Sequence, residues 1–584
     1  MSDIAALVAN TIDIWTSATQ RKSSAGRGVG KRFSHYGVER LRALILDLAV
    51  RGKLLPQNPE DEPATALLIK MAAERQGRIK AREIKATKGP TTPSSKPFVL
   101  PSGWTWLPLW QTGNIFTGNS IDSSLRSELA ANSEGRPFVA TKDVGYGLDP
   151  IDYDNGLTVA LDDKRFNVAR PNSVFICAEG GSAGRKIAVS DREIAFGNKL
   201  IVNEPWSQIA PRYILYTYLS EFFFKCFSDD MTGIIGGISR AKFLALPFPL
   251  PPLPEQRRIV AKVDELMALC DALERKSAGA MAAHQALVDE LLATLVNSAD
   301  AADLTLQWAR LERHFDALFI TDASIDALKQ TILDLAVRGK LVEQNARDEA
   351  ASELLKRTAK EKANLIRQGL AKRNKLLPGV DHSMLPFSLP SGWAWARFPE
   401  LGIFERGKSK HRPRNDPKLF SPGIYPLIQT GEVARATGLI NEVHSHYSDL
   451  GLAQSKLWKE GTLCITIAAN IADAAIMGFD ACFPDSVVGF VPARPITDPR
   501  YFLYFIRTAK ADLLRFAPST AQKNINLGIL ETLLVPLPPL PEMARIVAKV
   551  DALMALCDAL KARIADVGGI QRYLADAITE RAAA

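Results

Sequence analysis

Ile45-Leu-Asp-Leu-Ala-Val-Arg-Gly-Lys-Leu54 returns unchanged as Ile332 to Leu341, 287 positions later. Ten identical residues in a row are not chance, so the chain is read first as a repeat. Arg258-Ile-Val-Ala-Lys-Val-Asp264 and Leu266-Met-Ala-Leu-Cys-Asp-Ala-Leu273 return at the same offset as Arg545 to Asp551 and Leu553 to Leu560. Leu100-Pro-Ser-Gly-Trp104 returns as Leu389 to Trp393. The order is helical block, variable block and long helix, then the same three again, and 542–584 followed by 1–96 match 255–385. Such a cyclic order predicts a ring-like object with pseudo-two-fold symmetry, its termini near one another and its halves pointing in opposite directions.

Two long helices follow from the spacing of apolar residues. Ile259, Val263, Leu266, Cys270 and Leu273 fall four and three apart, continued more weakly by Ala280, His284, Leu287 and Leu291. The second copy gives Ile546, Val550, Leu553, Cys557 and Leu560, then Ile564, Val567, Leu574 and Ile578. This is the seam of a coiled coil. Pro254 and Pro541 stand at the starts, where proline costs no hydrogen bond, and Glu255 and Glu542 sit in the first turn, where a carboxylate complements the helix dipole. Each rod of about 40 residues spans roughly 60 Å and acts as a spacer.

Between the helical regions lie 97–254 and 386–541, rich in Gly, Pro, aromatic and β-branched residues. Asn172 to Cys177 and Thr462 to Thr466 read as strands, Arg212 to Phe227 and Arg500 to Phe516 as helices. Both blocks are expected to be mixed α/β domains of one fold with different surfaces, since they share only scattered positions such as Phe138-Val-Ala-Thr-Lys-Asp-Val144 against Leu427-Ile-Gln-Thr-Gly-Glu-Val433.

The chain of 584 residues exceeds what one core can organise, and its 47% hydrophobic and 23% charged residues are ordinary globular usage. The longest uncharged stretch, Pro97 to Ile121, is broken by Pro101 and Pro108 and cannot span a bilayer as a helix. Met1-Ser2-Asp3, with Asp13 in the first apolar run, carries the wrong charge for a secretory signal, and six cysteines without C-x-x-C spacing suit a reducing compartment. The expected location is the cytoplasm, without a membrane. A net charge of +8 is compatible with a polyanionic partner and does not identify one.

Pro249-Leu-Pro-Pro-Leu-Pro-Glu-Gln-Arg-Arg-Ile-Val-Ala-Lys-Val-Asp264 and its copy Pro536-Leu-Pro-Pro-Leu-Pro-Glu542 resemble the joint between target-recognition domain and spacer helix in the specificity subunits of type I restriction-modification systems. Ala336-Val-Arg-Gly-Lys-Leu-Val-Glu-Gln-Asn345 carries the same resemblance, and the block ahead of the first variable region resembles the form with a long N-terminal conserved region. The resemblance implies an α+β fold, with two mixed α/β target-recognition domains separated by long antiparallel coiled-coil helices. The implied parts are an N-terminal conserved helical region 1–96, a first target-recognition domain 97–254, a central conserved region with a spacer helix 255–385, a second target-recognition domain 386–541 and a C-terminal spacer helix 542–584. It further implies a non-catalytic subunit that binds double-stranded DNA at a bipartite, asymmetric target and holds two modification and two restriction subunits. Methyltransferase and ATP-dependent endonuclease activities would belong to those partners, with S-adenosylmethionine, ATP and magnesium bound there.

Several local motifs invite other readings. Gly402-Ile-Phe-Glu-Arg-Gly-Lys-Ser409 has the phosphate-loop pattern of an NTPase, yet Pro413 and Pro417 prevent the helix it needs, and the first copy has Asn119 in place of the lysine. A fused methyltransferase-nuclease would need an Asn/Asp-Pro-Pro-aromatic segment, whereas Pro251-Pro252 and Pro538-Pro539 precede leucine. The same proline runs read as structural boundaries rather than SH3-type ligands. His444, His446 and Asp449 offer metal-ligand chemistry without a second cluster, so no metal is expected. Cys270 and Cys557 are packing residues, and His284 a tolerated polar position. A coiled-coil scaffold without DNA specificity is the remaining alternative.

The DNA-contact candidates are polar and basic loop residues: Thr117, Asn119, Lys142, Ser182, Arg185, Lys186 and Arg240 in the first domain, Lys408, Lys410, Arg412, Gln429 and Lys523 in the second. Arg and Lys suit guanine edges, Asn and Gln suit adenine, and each can instead meet phosphate. The loop with Arg406, Lys408, Lys410, Arg412 and Arg414 is the most concentrated positive segment among them.

Overall fold

The computed structural model describes residues 10–22, 32–132, 134–233, 236–373, 385–515 and 525–583. The chain forms two compact units, Met1–Ala280 with Asp566–Ala584, and Met281–Ala565. The division falls inside both long helices, Leu253–Val296 and Leu540–Ala583, each of 44 residues. Among the described residues no helix is long and apolar enough to cross a membrane.

In the first unit the helix Tyr36–Val50 buries Leu41, Leu44 and Ile45 in one core with Trp15 and the seam residues Ile259, Val263, Leu266, Cys270 and Leu273. Arg42 ties the two helices at their surface, 2.6 Å from Asp271 and 2.8 Å from Glu274. The end of the chain closes this unit, as the cyclic order requires: the Tyr36 hydroxyl donates to Asp576 at 2.8 Å and Arg572 to the Thr19 carbonyl at 3.1 Å. In the second unit the helix Asp322–Val337 buries Ile325, Leu328 and Ile332 with Ile546, Val550 and Cys557, while Leu553 and Leu560 are half-buried beside them.

The seam does not continue in its expected register. Leu287, Val567 and Leu574 are 53%, 53% and 41% exposed, and the buried residues are instead Val288, Leu292 and Leu295 in one helix and Ala575 and Thr579 in the other. The second half of each long helix belongs to a different unit from its first half, so its buried face is set by another core and the apolar stripe rotates by one position.

Three repeated motifs, far apart in sequence, meet in each unit. Gly52, at φ +66°, turns the chain after the first helix, and a Cβ there would lie 2.4 Å from Pro101 and 3.0 Å from the Trp104 ring; Gly339, at φ +68°, has Pro390 at 2.5 Å and Trp393 at 2.9 Å. The Gly103 carbonyl accepts the Ala64 N–H, and the Gly392 carbonyl the Ala351 N–H, both at 2.8 Å, at the starts of the helices Ala64–Lys80 and Ala351–Arg367. The first-turn carboxyl of the long helix lies in the same knot rather than in solvent. Glu255, 2% exposed, accepts from Trp104 Nε1 at 3.0 Å and from Gln57 at 3.3 Å, and Glu542, 1% exposed, occupies the equivalent place beside Trp393. Arg258 pairs with Asp61 at 2.6 Å and Arg545 with Asp348 at 2.8 Å on the rim.

From this knot a two-stranded antiparallel ribbon leads into each variable block. Thr105–Pro108 pairs with Pro247–Leu250 in the first, and Ala394–Arg397 with Leu534–Leu537 in the second, so the chain enters and leaves each block side by side. Inside the first block Gly113–Thr117, Leu200–Pro205, Val174–Cys177 and Ile187–Val189 form one antiparallel sheet in that order. The second block repeats it with Gly402–Arg406, Val487–Pro492, Leu463–Thr466 and Ala474–Met477, adding Leu439–Ile440 at the edge. A smaller sheet carries a parallel pair, Arg136–Val139 with Ile194–Phe196 in the first block and Tyr425–Leu427 with Ala481–Cys482 in the second.

The central strand of the larger sheet is apolar on both faces because it separates two cores. Val174 and Ile176 face the core of the helical framework, Phe175 and Cys177 that of the block itself; Leu463 and Ile465 against Cys464 do the same in the second. The helix expected over Arg212 to Phe227 is two helices, Pro211–Leu219 and Glu221–Asp229. Ser220 breaks it in an extended conformation, its hydroxyl accepting the Phe223 N–H as the cap of the second.

Two outcomes test the knot. Gly52→Ala and Gly339→Ala should each destabilise their unit by roughly 1–3 kcal/mol, because the added methyl meets a proline ring at a positive φ; thermal unfolding of the single variants measures it. Burial pushes the Glu255 and Glu542 carboxyls above their usual range, so the folded chain holds those protons more tightly than the unfolded one. Their contribution is most favourable below the unfolded carboxylate pKa of about 4.3 and is lost as pH rises through the raised folded value. Glu255→Gln, which keeps an acceptor for Trp104, should therefore gain stability over the parent between about pH 4 and 7. A Tm difference independent of pH would contradict this assignment.

Candidate nucleic-acid interface

In the first block a short turn after Arg136–Val139 opens a polar face. Asp143, buried, holds it by accepting the Ala140 N–H at 2.9 Å and the Asn155 side-chain amide at 2.8 Å. Lys186 reaches across to donate to the Thr141 and Lys142 carbonyls at 3.0 and 3.3 Å, and its ammonium lies 5.3 Å from the centre of the Tyr146 ring. The Tyr146 hydroxyl meets Ser182 Oγ at 3.0 Å, and a backbone bridge joins Tyr146 to Lys186. Lys142, Ser182 and Lys186 are thus brought together, with Lys142 exposed 3.6 Å from Asp143. Arg185 stacks over Phe224 at 5.1 Å.

Thr117, Asn119 and Arg240 have a different setting. Asn119 spends its amide on a distant segment of the block, donating to the Arg165 carbonyl at 2.9 Å and accepting the Asn167 N–H at 2.7 Å. The Thr117 carbonyl accepts from the Asn167 side chain at 2.9 Å. Arg240, exposed at the start of a short helix, donates to the Ile115 carbonyl at 2.9 Å.

The second block presents its basic loop directly after the strand Gly402–Arg406. No helix follows it before Pro417, so the phosphate-loop geometry is absent. Gln454 Oε1 accepts the Lys410 and His411 N–H groups at 2.6 and 3.2 Å, and Ser455 donates to the Lys408 carbonyl at 3.0 Å. Arg412 folds back on the Ser409 and His411 carbonyls at 2.7 and 2.8 Å. Arg406 donates to the Asp485 carbonyl at 2.8 Å and Arg414 grips its carboxylate at 3.1 and 2.9 Å. The Lys408 and Lys410 ammonium groups have no acceptor among the described residues. Gln429 starts the helix Thr430–Arg435 much as Ala140 starts its turn, its N–H donated to Glu432 at 3.0 Å, while its side chain donates to Ser445 at 3.2 Å. Lys523 lies outside the described residues.

His444 lies 3.6 Å from Glu432, and Asp449 accepts from the Tyr425 hydroxyl at 3.0 Å, which raises the Tyr425 pKa. Backbone N–H donation from Lys418, and then the His411 imidazole 2.9 Å away, hold Asp416 below the usual carboxylate range. Tyr146, 54% exposed and held between Ser182 and Lys186, shares the face of the first block and is absent from the sequence candidates; its signal was its place in Gly145-Tyr-Gly147 directly after the turn that carries Lys142.

The framework and paired modules have counterparts. A family described as the type I restriction modification DNA specificity domain matches twice, over residues 101–278 and 390–567. The chain belongs to the specificity subunits of type I restriction enzymes. It is 35% identical over 600 residues to the EcoAI specificity subunit of Escherichia coli and 34% identical over 605 residues to the EcoEI specificity subunit of the same organism, in each case across 99% of both chains. A crystal structure of an HsdS subunit from Thermoanaerobacter tengcongensis overlaps 83% of this chain and 98% of its own, with 18% identity and a TM-score of 0.39.

Because one side-chain oxygen holds two backbone N–H groups of the basic loop, Gln454→Ala should free the loop without unfolding the block. Hydrogen exchange at Lys410 and His411 is expected to rise by an order of magnitude or more, with global stability changed by about 1 kcal/mol or less.

Proposed function

We propose that this chain selects the DNA target of a type I restriction-modification complex, each module reading one half of a split, asymmetric double-stranded site while the long helices act as the spacer. Two modification and two restriction subunits assemble on the framework. The chain itself catalyses nothing: methyl transfer with S-adenosylmethionine, and ATP- and magnesium-dependent cleavage, are the work of those partners, in the cytoplasm where the genome is. The observation that carries the reading is the pair of modules with one topology and unlike surfaces, each hung from the repeated framework by a two-stranded ribbon. Lys142, Tyr146, Ser182 and Lys186 mark the reading face of the first, Lys408, Lys410, Arg412 and Gln429 that of the second, with Thr117, Asn119, Arg185, Arg240 and Lys523 at their margins.

Replacing 386–541 by the same block of a relative with a known target should change one half-site and leave the other, as mapped by methyladenine at base resolution in cells carrying the cognate modification subunit. If both half-sites change, the modules do not read independently. If no methylation depends on the chain, the scaffold reading without DNA specificity takes its place.

A further inference from the structure

A cleft of about 480 Å³ in the first unit is lined from two sides: by the segment after the helix Ala64–Lys80, and by the strand Gly113–Thr117 with its neighbours. The segment is pinned across the module. Arg75 stacks on Trp110 at 4.6 Å and donates to the Thr87 carbonyl, Trp110 Nε1 donates to the Pro90 carbonyl at 2.8 Å, and Ser94 N–H to the Ala245 carbonyl at 2.8 Å.

Four cations, Arg78, Lys85, Arg170 and Arg240, line this cleft with two carboxylates, Glu83 and Glu204. The carboxylates are committed. Glu204, 6% exposed, accepts from Asn114 at 3.0 Å, the Arg170 N–H at 3.1 Å and Arg78 at 3.3 Å, and Glu83 lies 3.0 Å from Arg170 and 3.4 Å from Arg78. Lys85 has no acceptor among the described residues, and Arg240 has only the Ile115 carbonyl. Two exposed cations are therefore left uncompensated beside an internally neutral ring. One repeat later the ring is absent, Arg78, Glu83 and Glu204 giving way to Leu365, Leu370 and Val491 and Arg240 to Leu527, while Lys85 has Lys372 at the same offset.

An open, mostly polar cleft with unpaired cations suits an anion and not an apolar ligand. We infer that it seats a phosphodiester group of the DNA backbone beside the half-site of the first module, so that Lys85 of the helical framework and Arg240 of the module grip one strand together. The inference rests on the DNA-binding reading above. It adds that a framework residue outside the recognition domain helps hold the duplex.

The test is DNA titration over a range of salt concentrations, with the full chain co-purified with its modification subunits and a duplex carrying the mapped target. Lys85→Gln should weaken binding about three- to tenfold and reduce the slope of log K against log salt by about 0.9, the signature of one lost phosphate contact. Lys85→Gln with Arg240→Gln should lower both further, Lys85→Arg should restore them, and Lys88→Gln, on the same segment outside the cleft, should change neither. The methylated sequence should stay the same throughout. Wild-type affinity and slope in Lys85→Gln would overturn the inference, as would a site that takes inorganic phosphate, weakened by Lys85→Gln, without competing with DNA. A parent complex that binds no duplex would instead bring down the underlying reading, and this one with it.

Discussion

The fold depends on one close approach: a glycine turn pressed against a proline and a tryptophan ring, Gly52 on Pro101 and Trp104, and Gly339 on Pro390 and Trp393. The turn sets where the helical block ends, the tryptophan loop supplies a carbonyl to the next helix, and its indole reaches the buried glutamate that opens the long helix. Each partner is constrained by the other two, so a change in one cannot be absorbed by moving another. That explains why sequence identity between the copies concentrates here. On an exposed helix face many residues would serve; where the packing partner is backbone at a positive φ, only glycine fits.

Beyond the knot, the central strand of each larger sheet divides the molecule into layers with separate duties. Val174 and Ile176 contribute to the framework core while Phe175 and Cys177 contribute to the module core, an alternation that period-two geometry makes unavoidable. The module core can be rebuilt on one face of the strand without disturbing the other. Together with chain ends that arrive side by side on a ribbon, this gives a domain whose surface diverges while its attachment does not.

How much of this was legible in the sequence follows from the range of the interactions. The repeat, the long helices and the strands Val174–Cys177 and Leu463–Thr466 are written in local periodicity, and the structure has them. The seam register beyond Leu273 and Leu560 was not, because periodicity shows that a helix has an apolar face and not which core will receive it. The break at Ser220 was hidden in an unbroken apolar run, where only a capping hydroxyl marks the boundary. Among the site residues, composition singled out Asn119 and Arg185 as readily as Lys408, yet the first is bonded to the segment of Arg165 and Asn167 and the second lies on Phe224. Residue type reports what a side chain can donate, and tertiary structure decides whether it is already donated.

This distinction bears on specificity. Each free cation that meets a phosphate adds affinity for every sequence alike and makes it salt-dependent, whereas discrimination requires donors held at fixed positions. In the proposed reading the modules follow the second course. Arg406 and Arg414 are committed to Asp485, Arg412 to its own loop and Lys186 to two carbonyls, while Lys408 and Lys410 project from a segment tied down at its backbone. A chain of 584 residues with a net charge of only +8 has little excess to spend on indiscriminate binding. In the proposed reading these bonds fix the loops, so that the cations they leave free, Lys408 and Lys410, are offered to the duplex from a held backbone.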